Sequence, residues 1–427
     1  MVTDHHETAN ERVLHSVPQA PYCLSQEHSG LSCLLTLPAR AMLLRLHTAR
    51  ASGYPDLSMF RNCAVLMVTI FLVAFACFAV CSLPMSDALS SLPRDLSDTM
   101  LLFTHWSQIK IKLGLEGVTS SSPLEARMGL ARRCTQELAV ATAFGLANMD
   151  THADMWGWDA SDLEWETQLI SSEFPPIYVL KLREDFDFSP VAVGFMGRRF
   201  VQTDSHGAVL YSHSMDPSQS WLRTTELSIL NTAYVAEERL MVLSSSPVAV
   251  QRCLAAWEGD IESLDEDPFE AAAVEHLGAI DSAIALRGLG ECIRFTPNLF
   301  LDLIGTLPTN EGIEDLKASI QQRELLVPYR VFATGYADLD GERAGAIVFE
   351  YDSSELALLD MPARLLLAEE GMSAYFKAPI AEACFTVQSC EVLDSAIVMS
   401  VVPVANQPIR LFRMMFYLDA IFAGCST

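Results

Sequence analysis

Basic side chains are scarce in this sequence of 427 residues. It contains 28 lysine and arginine residues against 54 aspartate and glutamate residues, which gives a formal net charge of −26. The first lysine is Lys110, and residues 1–83 contain equal numbers of arginines and acids, so the whole net charge lies in residues 84–427. A surface this acidic repels phosphate backbones. The composition therefore excludes nucleic-acid binding and favours cationic partners.

Sequence motifs for catalysis and for cofactors are also missing. The chain has no G-x-S-x-G elbow, no P-loop, no G-x-G-x-x-G and no H-E-x-x-H. None of its eleven cysteines forms a CxxC pair or a Cys/His cluster with zinc spacing. We therefore expect no cofactor and no metal.

Six cysteines follow the N-terminal region, namely Cys134, Cys253, Cys292, Cys384, Cys390 and Cys425. An even number permits disulfides in an exported protein, and Cys384 with Cys390 is the closest pair in sequence. Isolated buried thiols, which act as small apolar side chains, are the alternative.

Only one segment is long and apolar enough to cross a bilayer. Residues 62–86 carry no charge, and residues 64–80 are apolar apart from Thr69. Four arginines lie within about twenty-five residues before this run and only Arg94 follows closely, which places the N-terminal side in the cytoplasm. The earlier four are Arg40, Arg45, Arg50 and Arg61. We expect a single-pass signal anchor at residues 59–83, contact with the cytoplasmic membrane through residues 62–85, and an extracytoplasmic C-terminal part.

The mode of attachment and the true start are both open. Cys81 ends the apolar run where a lipoprotein's acylated cysteine would lie, although the preceding residues depart from the usual pattern; an uncleaved anchor is preferred. Residues 1–58 are either a disordered tail or an incorrectly assigned gene start. Met59 would provide a short basic region before the apolar run.

Beyond the anchor, strand-like runs alternate with helix starts. Ser122, Pro123 and Glu125 predict a helix from about residue 122 to 148, with a capping box at its beginning. Three units share a strand followed by Pro-Val-Ala and a helix; the alternative is a simple preference for proline at the first helical position. The strands are Ile177–Leu182, 240–243 and 397–401, and the prolines are Pro190, Pro247 and Pro403.

The remaining pattern predicts hairpins and one linker. Strands at residues 329–337 and 343–351 flank Asp340-Gly341, a favoured pair for a two-residue turn. Residues 258–270 contain seven acids and are expected to link two domains. The predicted fold is α+β: two repeated modules of mainly antiparallel sheet with helices packed on one face, at residues 84–257 and 271–427, behind the N-terminal membrane helix.

The segment SLPRDLSDTMLLFTHWSQIK, the strand–PVA–helix units and the preceding anchor resemble a family of uncharacterised exported bacterial proteins. The resemblance covers about residues 84–423. It implies tandem, roughly ferredoxin-like α/β modules behind a signal or lipoprotein sequence. It implies no activity.

Residues 154–166 are the one segment that suggests a binding surface. Trp156, Trp158 and Trp165 lie among five acids, including Asp159 and Asp162. Aromatic rings beside carboxylates can bind sugars or cations. The alternative is that the tryptophans are buried, and for Trp156 and Trp158 we expect burial of at least one.

The leading functional hypothesis is a non-enzymatic binding or scaffolding module of the cell envelope, with an unidentified envelope partner or ligand. The alternative is an extracytoplasmic hydrolase with a site around Ser205, His206 and His213. Surface histidines are the simpler interpretation of that second group, because a separation of seven puts the two histidines on opposite faces of a regular strand.

Overall fold

The computed structural model of the protein describes residues 84–137, 144, 149–205, 207–214, 224–288, 326–339, 342–373, 375–416 and 421–424. All of them belong to the second of the two units into which the chain divides, Ser82–Thr427. This described part has ten α-helices and fourteen strands, and twelve of the strands form one antiparallel sheet. The predicted α+β class with a mainly antiparallel sheet is confirmed.

The helices of the described part are α1 Pro84–Leu89, α2 Trp106–Leu113, α3 Leu124–Glu137, α4 Met149–Trp156, α5 Ser189–Gly197, α6 Pro247–Trp257, α7 Pro268–Leu277, α8 Ser354–Glu370, α9 Ile380–Ala383 and α10 Ile409–Phe416. The strands are β1 Thr99–Thr104, β2 Leu163–Ser171, β3 Ile177–Leu182, β4 Val201–Ser205, β5 Ala208–Ser212, β6 Asn231–Val235, β7 Leu240–Ser244, β8 Ser282–Arg287, β9 Val331–Leu339, β10 Glu342–Glu350, β11 Met372–Ser373, β12 Ala378–Pro379, β13 Phe385–Leu393 and β14 Ala396–Pro403.

The order of strands in the large sheet is β13–β14–β10–β9–β8–β1–β2–β3–β7–β6–β5–β4. Strand β1 therefore lies inside the sheet, where Leu102 is opposite Gln168 of β2 on one side and Ile284 of β8 on the other. Residues 84–257 and 271–427, expected to form two modules, provide adjacent halves of this sheet. From the centre outward the order is β1–β2–β3–β7–β6–β5–β4 in one half and β8–β9–β10–β14–β13 in the other, so the halves share an order of five strands but differ in strand number. That the two halves are repeated modules is not confirmed.

Helices cover both faces of the sheet, which corrects the expectation of helices on one face. Side chains of a strand alternate between faces, and on β8 Ala283 packs in one core cluster while Ile284 packs in another. The Ala283 cluster includes residues of α1, α6 and α7, whereas the opposite face packs against α8–α10 in one half and α2–α5 in the other. Because apolar side chains are buried on both faces of the sheet, helices must cover both faces.

The helix-start signals are confirmed in full at Pro247 and in part or not at all at Pro190 and Pro403. At α6 the Ser246 hydroxyl accepts from the backbone N of Ala249 and Pro247 occupies the first turn, as expected of a serine N-cap. At α5 the N-cap is Phe188, whose side chain cannot cap. After Pro403 the chain forms a short 3₁₀ turn, Val404–Asn406, rather than an α-helix.

Residues 258–270, predicted as a linker, are packed against the rest of the domain. Leu264 is buried in the core, and Asp267 caps α7 while forming ion pairs with Arg94 and Arg287. Acidic side chains of this stretch therefore form ion pairs with arginines from distant parts of the sequence. The stretch is not an independent spacer.

The predicted membrane anchor at residues 59–83 lies outside the described residues. Residue 85, the last position of the expected membrane contact, belongs instead to helix α1, and Met85 is buried in the core. No helix in the part of the chain that the structure describes is long and apolar enough to cross a bilayer.

Candidate functional site

The three tryptophans of the predicted binding segment are buried. The exposed fractions are 1% for Trp156, 0% for Trp158 and 2% for Trp165. Trp158 stacks on Phe144 with ring centroids 5.6 Å apart. The expected burial of Trp156 or Trp158 is confirmed for both, and these indoles present no surface on which a ligand could stack.

The two aspartates of that segment form a reciprocal cap. The carboxylate of Asp159 accepts from the backbone N of Ser161 at 2.8 Å, and that of Asp162 accepts from the backbone N of Asp159 at 3.2 Å. Arg127 also donates to Asp159 at 2.7 Å. Burial raises the pKa of Asp159, and the hydrogen bonds from Ser161 and Arg127 oppose that shift. These carboxylates hold the turn Ala160–Asp162 in place.

Two further cations surround this turn. The Nε of Arg183 lies 3.2 Å from Asp162 Oδ1, and the buried Nζ of Lys110 donates to the carbonyl of Ser161 at 2.7 Å. Burial lowers the pKa of Lys110, against the attraction of Asp162. Because buried charges of both signs are matched here, the geometry indicates a structural network and offers no opening to a ligand.

The structure does not bring together the residues of the alternative hydrolase site. Ser205 is paired with Ala208 at the turn end of the β4–β5 hairpin, whereas His213 follows Ser212 at the other end. Five residues of extended chain separate Ala208 from His213, which is roughly 17 Å. His206 lies outside the described residues. The register therefore excludes a Ser205–His213 dyad, because it places the two side chains too far apart to contact each other.

The cysteines of the described part are not in disulfide bonds. Cys384 and Cys390, the closest pair in sequence, are both thiols, and the Sγ of Cys384 lies 2.9 Å from Met414 Sδ. Cys384 is fully buried, so this cysteine acts as a small core side chain. Cys81, the candidate for lipidation, lies outside the described residues.

A cleft of about 480 Å³ opens at one end of the sheet. The β4–β5 and β6–β7 turns lie at the same end because the two hairpins are neighbours in the sheet. Helix α6 follows β7 and returns to that end, where its last residues complete the cleft. This acidic cleft is lined by Gly207, Val235, Glu237, Trp257, Glu258 and Asp260.

The acidic cleft has a negative potential. Glu237, Glu258 and Asp260 are exposed, and Trp257 is half-buried beside them. The C-terminal end of α6, at Trp257, adds the partial negative charge of a helix dipole. Among the described residues that line it there is no lysine and no arginine. In the described residues no three His, Cys, Asp or Glu side chains are placed to hold a metal ion. The lining suits an organic cation, with carboxylates for its charge and an indole for its alkyl or π surface.

The sequence contains only an indirect signal for this cleft. Glu237 lies in a turn between two buried strands, and Glu258 directly follows the last residue of a helix. Their proximity depends on which hairpins are adjacent in the sheet, and the local pattern does not encode this.

The comparisons with known proteins add no functional information. No model of a known protein family matches the sequence, and no curated protein matches it. Among solved structures, crystal forms I and III of TP0453 are each 8% identical to this chain, with TM-scores of 0.36 and 0.35. The matches cover 78% and 79% of this chain and 97% and 98% of TP0453. At these values no property of TP0453 is carried over to this chain.

Proposed function

We propose that this chain is a non-enzymatic binding module whose acidic cleft accepts a cationic group of a partner or ligand. The observation that carries the proposal is that three exposed carboxylates and the half-buried indole of Trp257 line one cleft, with no lysine or arginine among the described residues of its lining. A ligand with an alkylammonium or guanidinium group matches both features.

Calorimetric titration with benzyltrimethylammonium, and with the neutral benzyl alcohol as comparison, tests the cleft. We expect weak, salt-sensitive binding of the cation and none of the alcohol. Replacing Glu237, Glu258 and Asp260 together by Gln, Gln and Asn should weaken binding by roughly tenfold, because each exposed ion pair that is lost contributes about 0.2–1 kcal/mol.

The matched control removes three charges elsewhere on the surface. Glu125→Gln, Glu382→Gln and Glu391→Gln change the net charge by the same amount at exposed positions outside the cleft. This variant should bind the cation nearly as well as the parent. Equal weakening in both triple variants would show that only the overall charge attracts the probe, and would contradict the proposal.

We propose further that the module is attached to the cytoplasmic membrane by the apolar residues 62–83 and faces the outside of the cell. The uncharged run and the arginines before it support this topology. Protease added to intact spheroplasts should degrade residues 84–427. Protection until lysis would overturn the topology without affecting the cleft.

A further inference from the structure

Helix α7 packs across the sheet with its apolar side on β9 and β10. Asp267 caps its first turn by accepting from the backbone N of Phe269 at 3.0 Å. Ala273, Val274 and Leu277 are buried in the core shared with the sheet. The helix is therefore held at its N-terminal end by a cap and along its length by apolar contacts.

A buried carboxyl group lies in the first turn of this helix. Glu270 is 3% exposed, and its Oε2 has no hydrogen-bond partner among the described residues. The charged groups that face it are Arg287 of β8 and Asp267 of its own helix. Arg287 is already 2.9 Å from Asp267, which Arg94 also contacts at 3.3 Å. Asp267 thus competes with Glu270 for the available positive charge.

A second buried carboxyl group lies at the other end of the helix. Glu350, the last residue of β10, is 1% exposed, and its Oε1 has no hydrogen-bond partner in the described structure. His276 Nε2 lies 3.6 Å from this oxygen, beyond hydrogen-bond range. From the β13–β14 turn, the Ser395 hydroxyl is hydrogen-bonded to the carboxyl group and Asp394 adds negative charge.

The permanent positive charge near Glu350 is engaged elsewhere. Arg330 precedes β9, and its backbone N donates to the Glu350 carbonyl, but its guanidinium holds Asp352 with two contacts of 2.8 and 2.9 Å.

The two carboxyl groups lie where the helix spans three strands. In the sheet register, Val331 of β9 is opposite both Arg287 of β8 and Glu350 of β10. Two inter-strand spacings therefore separate Arg287 from Glu350, a distance of about 9.6 Å. Six residues of helix, from Glu270 to His276, rise about 9 Å. One buried carboxyl group therefore lies beneath each end of α7.

Both groups are disfavoured as anions. Burial raises the pKa of Glu270 to about 7, with Arg287 opposing and Asp267 adding to the shift. Burial raises the pKa of Glu350 to about 7 as well, with the Ser395 hydrogen bond opposing and Asp394 adding to it. Above neutrality the docked helix consequently covers two poorly compensated negative charges.

We propose that α7 is a pH-sensitive element, docked on β9 and β10 while Glu270 and Glu350 are protonated and released locally when both ionise. Release exposes the apolar surface of the two strands and allows water to reach both carboxylates. The helix can thereby open in alkaline solution without unfolding of the whole domain.

Hydrogen exchange of the full-length protein at pH 5 and pH 8, corrected for intrinsic exchange rates, tests this proposal. Protection of the α7 amides should fall by roughly 70-fold for each carboxyl group between these two values. The Glu270→Gln, Glu350→Gln double variant should lose this dependence. The control Glu275→Gln, at an exposed position of the same helix, should keep it.

Identical pH dependence in the parent and the double variant would overturn the proposal, and so would a parent in which α7 responds no more than α6. If the double variant does not fold, carboxyl carbon NMR of the parent decides. Two glutamates should titrate near neutrality; titration of all glutamates near their ordinary value of 4.5 would refute the mechanism.

Discussion

Arg364 and Asp360 form an ion pair in which both side chains are excluded from solvent, with Arg364 Nε 2.8 Å from Asp360 Oδ2. Tyr351 donates to the same oxygen at 2.7 Å. Arg364 also donates to the carbonyls of Phe422 at 2.7 Å and Val327 at 2.9 Å. The pair therefore connects α8 to two segments that have no regular α-helix or strand to hold them.

Arg364→Met should destabilise the protein by about 3–5 kcal/mol, because it leaves the Asp360 carboxylate buried without its cation. It also removes the donor from three backbone carbonyls, those of Phe422, Gly424 and Val327. The free energy of unfolding is measured by denaturant titration of the full-length protein.

The control for this prediction is an exposed ion pair of similar geometry. Arg330 and Asp352 contact each other at 2.8 Å, but their side chains are 57% and 52% exposed. Arg330→Met should cost no more than about 1 kcal/mol. Similar losses in both variants would show that burial of the Arg364 pair does not determine its contribution.

Trp156→Ala and Trp158→Ala should each reduce the free energy of unfolding by about 3–5 kcal/mol, as expected for the truncation of a fully buried aromatic residue. Tyr375→Ala, at a ring that is 44% exposed, is the control and should cost much less. Two tryptophan variants as stable as the parent, with indoles accessible to an aqueous quencher, would restore the binding hypothesis for residues 154–166.

Gly157→Ala should be more harmful than Gly259→Ala. Both glycines have positive φ, +80° and +78°, so an alanine is strained at either position. A Cβ at Gly157 would also lie 3.1 Å from the backbone N of Val191, whereas nothing lies within 4 Å at Gly259. We expect an additional loss of about 1–3 kcal/mol at Gly157. Equal thermal unfolding midpoints would contradict this close approach to α5.

His152 should make the protein sensitive to acid. Burial lowers its pKa from 6.5 to about 3. Between these two pH values the imidazole is therefore protonated in the unfolded chain and neutral in the folded chain. The associated stability is present above pH 6.5 and is lost as the pH falls towards 3, up to about 5 kcal/mol. His152→Leu should flatten this loss between pH 6.5 and 4 in urea unfolding. An unchanged slope would show that His152 is accessible to solvent.

Local features of the fold were accessible from the sequence. Ile177–Leu182 is a strand as predicted, and β9 pairs antiparallel with β10 with Leu339 opposite Glu342, which confirms the predicted pairing of these two strands. Asp340 and Gly341, the predicted turn, lie outside the described residues. These signals depend on alternation and turn residues within a few positions, and neighbouring residues are sufficient to specify them.

The candidate site could not be predicted from local sequence patterns in the same way. Asp159 and Asp162 were expected at a surface, but Arg127 and Arg183, both about twenty or more residues away in sequence, neutralise them inside the domain. The acidic cleft likewise depends on the adjacency of hairpins. Such contacts are set by the topology of the sheet, which no short segment specifies.

The position of β1 also has a consequence for synthesis of the chain. One neighbour of β1, strand β2, ends at Ser171, but the other, β8, is complete only at Arg287. At ordinary rates of translation this interval lasts on the order of ten seconds. During it the nascent N-terminal half exposes the hydrogen-bonding edge of an apolar strand, the kind of edge that pairs with other chains. We therefore expect the ribosome-bound intermediate to be prone to aggregation until β8 is available to pair with β1.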